Sequence, residues 1–256
     1  MRVSATPAAA LLGVLFASSA FAQSVDDIVS RHVAARGGYE KLRAVQTIRI
    51  TRTVAAQFSD IKVVLYKKRP QFFRAEQTPP GQAPTARGVN ADAAWDTAPG
   101  GRTTLRTAPL AAEARDLDAD FDGLLVDWKA KGHTVTLEGK EALPGAQTPE
   151  AQTAGAETFK LKVTTKSGAV RYIYLDTTTY LDRRHTGVLK LPPDRQLDFV
   201  MDFGGWRSVD GVMFPFDISE DRTGREPSVS FAIYTEKIEL NVPMDDALFA
   251  TPAGAK

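Results

Sequence analysis

The chain has no cysteine, which excludes disulfide staples, thiol nucleophiles and thiolate metal sites. Nor is there an excess of either charge, because 32 Lys and Arg face 31 Asp and Glu. A nucleic-acid binder normally carries a basic surplus, so general capture of polyanions is not expected. Of three histidines, His32, His133 and His185, none is spaced from another histidine or a carboxylate as a zinc motif requires. They read as lone surface residues of a helix, a loop and a strand. A serine hydrolase would need a G-x-S-x-G elbow, and there is none. Past residue 22 no long apolar run occurs, so no membrane-spanning helix is expected.

The first 22 residues are themselves informative. Arg2 gives a short basic start, Ala8 to Phe21 is an uncharged apolar run, and Ala20-Phe21-Ala22 is a small-x-small site before Gln23. This reads as a secretory signal peptide. The run is too short to span a bilayer stably, and the polar sequence that follows argues against a buried helix. With no cysteine after the cleavage site, a lipid anchor is not expected. The expectation is a soluble periplasmic chain of residues 23–256, charge-balanced once Arg2 is removed. That length suits one all-β domain and a substantial core without covalent staples.

Residues 24–44 predict an amphipathic helix. Ser24 can cap it, Asp26 and Asp27 sit near its positive end, and Ile28, Val29, Val33 and Leu42 supply apolar positions. Gly37-Gly38 predicts a break. From Thr47 the period changes to two, first at Ile48 and Ile50, then at Ile61, Val63 and Leu65. Phe159, Leu161 and Val163, a turn at Lys166-Ser167-Gly168, then Val170, Tyr172 and Tyr174 predict a hairpin. Val212, Phe214, Phe216 and Ile218 read as one strand, with Pro215 marking an edge or a bulge. Val229, Phe231 and Ile233 are odd-numbered while Ile238, Leu240 and Val242 are even, so a bulge is predicted near Tyr234 to Lys237. Ala112 to Lys131 reads as an inserted helix carrying Phe121, Leu124, Leu125 and Trp128. Residues 78–88, 98–109 and 144–157 read as loops. The sum is mainly β: an antiparallel sheet of about nine to eleven strands, curled around a core, with two helices.

Several short motifs do not carry the chemistry they spell. Asp118-Ala119-Asp120-Phe121-Asp122-Gly123 matches the front of a calcium loop, but its twelfth position is Lys129, where a bidentate glutamate is needed. Asp202-Phe203-Gly204 lacks every companion motif of a kinase and reads as a strand end. Asp245-Asp246 is an ordinary acidic turn and does not nominate a glycosidase. No catalytic constellation, metal site or cofactor is expected. More unusual is the supply of large apolar side chains, among them Phe72, Phe73, Trp95, Trp128, Phe199, Phe203, Trp206, Phe214 and Phe216. Most are expected in the core, but a curled sheet under helices can also enclose a dry cavity suited to an acyl chain.

Lys68-Arg69-Pro70-Gln71-Phe72-Phe73-Arg74 resembles a recurring element of the periplasmic lipoprotein-carrier (LolA-like) family, in which a strand ending in Lys-Arg-Pro precedes an aromatic-containing strand. The hairpin Asn90-Ala91-Asp92-Ala93-Ala94-Trp95 is similar to the family's turn before its tryptophan. Asp246-Ala247-Leu248-Phe249-Ala250-Thr251-Pro252 resembles its terminal Phe-x-x-Pro segment. The stretches Ala35 to Leu42 and Tyr174 to Leu181 resemble a broader group of exported relatives. The resemblance implies a single unclosed β-barrel domain over residues 23–256, with helices acting as a lid over an apolar cavity. By position, Arg69 is the arginine that bonds lid carbonyls and influences opening, and Phe73 is the neighbouring lining aromatic. The implied function is non-enzymatic binding and carriage of a lipid or lipoprotein, with Arg69, Phe72, Phe73, Trp95 and Trp128 as ligand-site residues. Expected partners are the acylated ligand and inner- or outer-membrane proteins. The alternative is an envelope protein-interaction or stress-sensing module on the same scaffold.

Overall fold

A computed structural model of the chain describes residues 23–56, 59–143, 155–191, 195–224 and 228–256. The leader read from residues 1–22, and most of the 144–157 loop, lie outside them. The chain opens with α1 (Val25–Ala35) and α2 (Tyr39–Ala44). Six strands follow: β1 (Thr47–Ala56), β2 (Ser59–Lys68), β3 (Phe72–Thr78), β4 (Thr85–Val89), β5 (Ala94–Thr97) and β6 (Thr103–Leu105). After α3 (Ala108–Leu117) come β7 (Thr134–Ala142), β8 (Glu157–Thr164), β9 (Val170–Asp176), β10 (Asp182–Leu191) and β11 (Arg195–Gly204). A small hairpin of β12 (Arg207–Val209) and β13 (Val212–Phe214) precedes β14 (Asp217–Thr223) and β15 (Val229–Leu240). None of the helices among the described residues is long and apolar enough to cross a membrane.

Thirteen strands make one antiparallel sheet, ordered β6-β5-β4-β3-β2-β1-β15-β14-β11-β10-β9-β8-β7, and its end strands do not pair with each other. The barrel is therefore unclosed. Nine to eleven strands were expected, and β4 and β6 account for the excess. They lie at least partly in stretches that composition marks as loops, and cross-strand pairing overrides that local signal.

The sheet must curl. Ala111 and Ala114 of α3 pack on Phe73, Val89 and Ala94 of β3, β4 and β5. The same helix reaches the β8–β9 turn, where Asp116 accepts the Ser167 backbone N–H at 2.6 Å. Strands β4 and β9 are eight places apart in the sheet, about 38 Å if it were flat at ~4.8 Å per strand. A ten-residue helix spans only about 15 Å. One short helix touching both walls requires a half-barrel.

The N-terminal helix forms for the expected reasons. Ser24 accepts the Asp27 N–H while the Asp27 side chain returns to the Ser24 N–H, a complete capping box. The chain breaks at Gly37, whose φ is 119° and where a Cβ would meet the Gly211 carbonyl oxygen at 2.2 Å. Only glycine satisfies both conditions. Ile28 and Val29 of α1 then pack on Val135, Phe159, Leu161, Val163, Ile173 and Leu175 of β7, β8 and β9, each fully buried apolar side chain being worth about 1.5–3 kcal/mol. Leu42 of α2 and the following Val45 cover Ile48, Ile50 and Ile238.

The β8–β9 hairpin and the bulge in β15 lie where predicted. Thr51 pairs with Lys237 and Arg52 with Thr235, so Glu236 is the extra residue. Two readings need correction. The strand over residues 212–218 is broken at Pro215, which cannot donate to a ladder; the chain leaves β13 there and enters the main sheet as β14. The inserted helix is α3, from Ala108 to Leu117, rather than Ala112 to Lys131. Beyond it Gly123 and Asp127 take positive φ values of 94° and 52°, so residues 118–132 fold as turns.

Candidate functional site

Arg69 closes β2 and fastens both pieces of the cover. Its Nε donates to the Val45 carbonyl at 2.7 Å and its Nη2 to the Leu42 carbonyl at 2.9 Å. Both carbonyls stand at the end of α2, where that of Leu42 also accepts the Val45 N–H at 3.3 Å. The other edge of the guanidinium makes a two-pronged pair with Asp122, Nη1 to Oδ2 at 2.8 Å and Nη2 to Oδ1 at 2.6 Å. The Phe121 ring stacks on its face, 4.2 Å from Cζ to the ring centre. One side chain thus joins the N-terminal helices to the turns after α3.

The acids of that segment are each committed to a cation. Asp118 faces Arg106 and Arg87, Asp120 takes Lys131, and Asp122 takes Arg69. Lys67 of β2 donates to the Asp120 carbonyl at 2.5 Å. This explains why a calcium-like run of acids stands here, and why it cannot continue α3: Asp120 and Asp122 are buried, turned toward partly buried cations.

Two clefts flank this segment. One of about 780 Å³ is lined by Arg69, Pro70 and Gln71 at the β2–β3 corner, by Arg115 and Asp116 of α3, and by Phe121, Lys131 and His133. His133 accepts the Lys166 N–H through Nδ1 at 3.1 Å, so the neutral ring carries its proton on Nε2. That N–H and Asp120 Oδ2 are buried without a partner among the described residues. Burial lowers the His133 pKa. The other cleft, of about 440 Å³, is apolar and runs between α1 and residues 125–130, lined by Val29, Val33, Tyr39, Leu125, Val126 and Trp128. Both volumes fall within the usual range for small-molecule sites.

The five expected ligand residues separate into three groups. Arg69 and Trp128 line the two clefts. Phe73 faces the helix-covered side of the sheet, buried under Ala111, Ala114 and Ala119. Phe72 and Trp95 face the other side of the sheet. Successive strand residues point to opposite faces, so Phe72 cannot share the face of Phe73. Phe72 packs on Phe249, their ring centres 5.4 Å apart. Trp95 pairs across the ladder with Gly88, whose partner on β3 is Arg74, all on the outer face. The C-terminal segment covers this region, with Asn90 Nδ2 donating to the Phe249 carbonyl and Arg74 to that of Leu248. Trp95 is 0% exposed.

Two histidines read as lone surface residues, buried His32 and half-buried His185, converge on Asp182. His32 of α1 donates from Nδ1 to the Tyr180 carbonyl at 2.9 Å and lies 3.8 Å from Asp182 Oδ2. His185 of β10 holds Asp182 Oδ1 at 2.8 Å through Nε2. Burial lowers the His32 pKa, outweighing the pull of Asp182. Burial also works against an ionised Asp182, but His32, the His185 hydrogen bond and Arg36 hold its carboxyl well below the ordinary range. The cluster pins α1 to the β9–β10 turn. Asp182 and His185 are only three residues apart on β10, but no motif spacing announces His32, which reaches them through the fold.

No protein-family model matches the sequence, and no curated protein matches it at a significant level. Solved structures do. A LolA superfamily protein from Nitrosomonas europaea superposes with a TM-score of 0.57 at 11% identity, over 90% of this chain and 99% of that one. A DUF1329 family protein from Desulfovibrio piger gives 0.55 at 14% identity, over 90% and 98%. A domain from Vibrio parahaemolyticus, described as an outer membrane lipoprotein-sorting protein, gives 0.53 at 10% identity, over 88% and 95%. At these identities the likeness is one of fold: the chain has the unclosed, helix-covered barrel of the LolA superfamily.

Proposed function

We propose that this chain is a periplasmic binding and carrier protein for a lipid or lipoprotein, sheltering acyl chains between the inner face of the half-barrel and its helical cover. The observation that carries this reading is the Arg69 latch. One guanidinium bonds both α2 and the segment after α3 above an apolar face, and losing it weakens the hold on both. The apolar cleft beside Trp128 supplies an entry for a chain end. Burial of an acyl chain contributes about 0.8 kcal/mol per methylene, so uptake needs no ATP at the carrier. The leader-like residues 1–22 support export, and the likeness in fold to a lipoprotein-sorting domain supports the class of cargo. In this reading the protein is non-enzymatic and uses no cofactor.

The test is native mass spectrometry of the mature chain purified from membrane-containing cells. The expected result is a defined set of adducts with lipid or lipopeptide masses that organic extraction removes. A spectrum of bare protein only, under conditions that retain lipid on a known carrier, contradicts the proposal.

A further inference from the structure

Arg52 is a cation of the inner face that has no partner among the described residues. Alternation along β1 sets Ile48, Ile50, Arg52 and Val54 on one side, and Ile48, Ile50 and Val54 belong to clusters beneath the cover or on the same inner surface. Its cross-strand neighbours are Val63 on β2 and Thr235 on β15, neither of which is charged. Other inner cations have acceptors: Lys67 the Asp120 carbonyl, Arg171 the Glu113 carboxylate, Arg222 the Glu220 carboxylate. Arg52 has no hydrogen bond or ion pair among the described residues, and its Nε is sealed from solvent. Burial alone pulls its pKa to about 10, which still leaves it charged at neutral pH. The charged group acting nearby on the same face is Lys67, a second cation.

Arg52 is partly buried, and a charge drawn out of water without a counter-ion costs stability. A guanidinium, with its planar fork of donors, matches the oxygens of a carboxylate or phosphate. We infer that Arg52 receives the anionic head of the cargo, so that the ligand is a single-chain amphiphile ending in a carboxylate or a phosphate monoester. This rests on the acyl-carrier reading above and adds the polarity of the cargo to it. The chain lies along the apolar inner face, and the head turns inward to Arg52.

The experiment is calorimetric titration of the delipidated mature chain with palmitate, hexadecyl phosphate and uncharged monopalmitoylglycerol. At least one anionic ligand is expected to bind tenfold or more tightly than the neutral one, and the tighter of the two assigns the head group. Arg52→Gln should erase that preference while leaving monopalmitoylglycerol affinity within about twofold, and Arg52→Lys should keep part of it. The melting temperature of Arg52→Gln should equal or exceed that of the wild type, as expected where a charge is held for binding at a cost to folding. Equal affinities for all three ligands in the wild type overturn the head-group assignment and leave the carrier reading standing. So does an unchanged preference in Arg52→Gln, or a large fall in its melting temperature. Failure of all three ligands to bind removes both together.

Discussion

Arg69 and Asp122, 53 residues apart in sequence, meet in a two-pronged ion pair of 2.6 and 2.8 Å. The Arg69 side chain is 18% exposed and that of Asp122 only 6%. The pair therefore differs from a surface salt bridge: the carboxylate has left water and depends on this guanidinium. The same guanidinium bonds the carbonyls of Leu42 and Val45, so it ties the two parts of the cover to the end of β2, beside the more exposed Arg43–Asp127 and Lys129–Asp26 pairs.

Removing Arg69 should accordingly cost more than removing an exposed ion. Arg69→Leu leaves Asp122 uncompensated, and a loss of about 3–5 kcal/mol is expected in urea unfolding. Arg69→Leu combined with Asp122→Leu should recover most of that loss, because the orphaned charge is gone. Hydrogen exchange should quicken in residues 39–46 and 118–131 of the single variant, with the β8–β9 hairpin unaffected. A loss below ~1 kcal/mol, the range of surface pairs, contradicts the latch.

Acid should loosen α1 through His32. Its folded pKa lies below the ordinary 6.5, so the unfolded chain takes up a proton first as pH falls. The stability it contributes is complete above about pH 6.5 and is lost progressively below it. Asp182, also depressed, acts in the same sense at lower pH, its contribution fading below the ordinary 3.8. The melting temperature should therefore drop between pH 7.5 and pH 5. His32→Asn, whose amide can keep the bond to Tyr180, should flatten part of that slope, the remainder coming from buried His133. An unaltered slope in the variant contradicts a neutral, buried His32.

Gly88 should resist any side chain. A Cβ there would come within 2.3 Å of the Trp95 ring, which the C-terminal segment holds in place from outside. Gly88→Val is expected to destabilise by about 1–3 kcal/mol, as overpacking does. The shift in Trp95 fluorescence should be visible in a chain whose other tryptophans, Trp128 and Trp206, are replaced by Phe. Neutral behaviour of Gly88→Val would show that the outer face is loosely covered.

Local signals carried the parts of the fold that are local. Ser24 with Asp27, the glycine pair at 37–38, the turn at Lys166-Ser167-Gly168 and the phase change around Glu236 each act within a few residues, and each lies in the structure as read. Phe121, Leu124, Leu125 and Trp128 have the helical spacing that suggests a longer inserted helix, whereas Asp122 is claimed by Arg69, 53 residues away, and Asp120 by Lys131 within the same segment. His32 of the Asp182 cluster is invisible in sequence because it joins from about 150 residues away. Phe72 and Trp95 are a different case. Phe72 is adjacent to Phe73 on one strand, so alternation already forbids both from lining one cavity. What alternation alone does not supply is the C-terminal segment that hides the outer pair.

The most direct test of acyl shelter inside the half-barrel is photo-crosslinking with a palmitate analogue carrying a diazirine near its chain end, mapped by peptide mass spectrometry. Saturable labelling of the inner-face residues Val63, Leu65, Phe73 and Ala75 and of residues 119–131, suppressed by excess palmitate, is the expected result. Labelling confined to the outer face around Phe72, Trp95 and Phe249, or labelling that palmitate does not suppress, contradicts an interior acyl site.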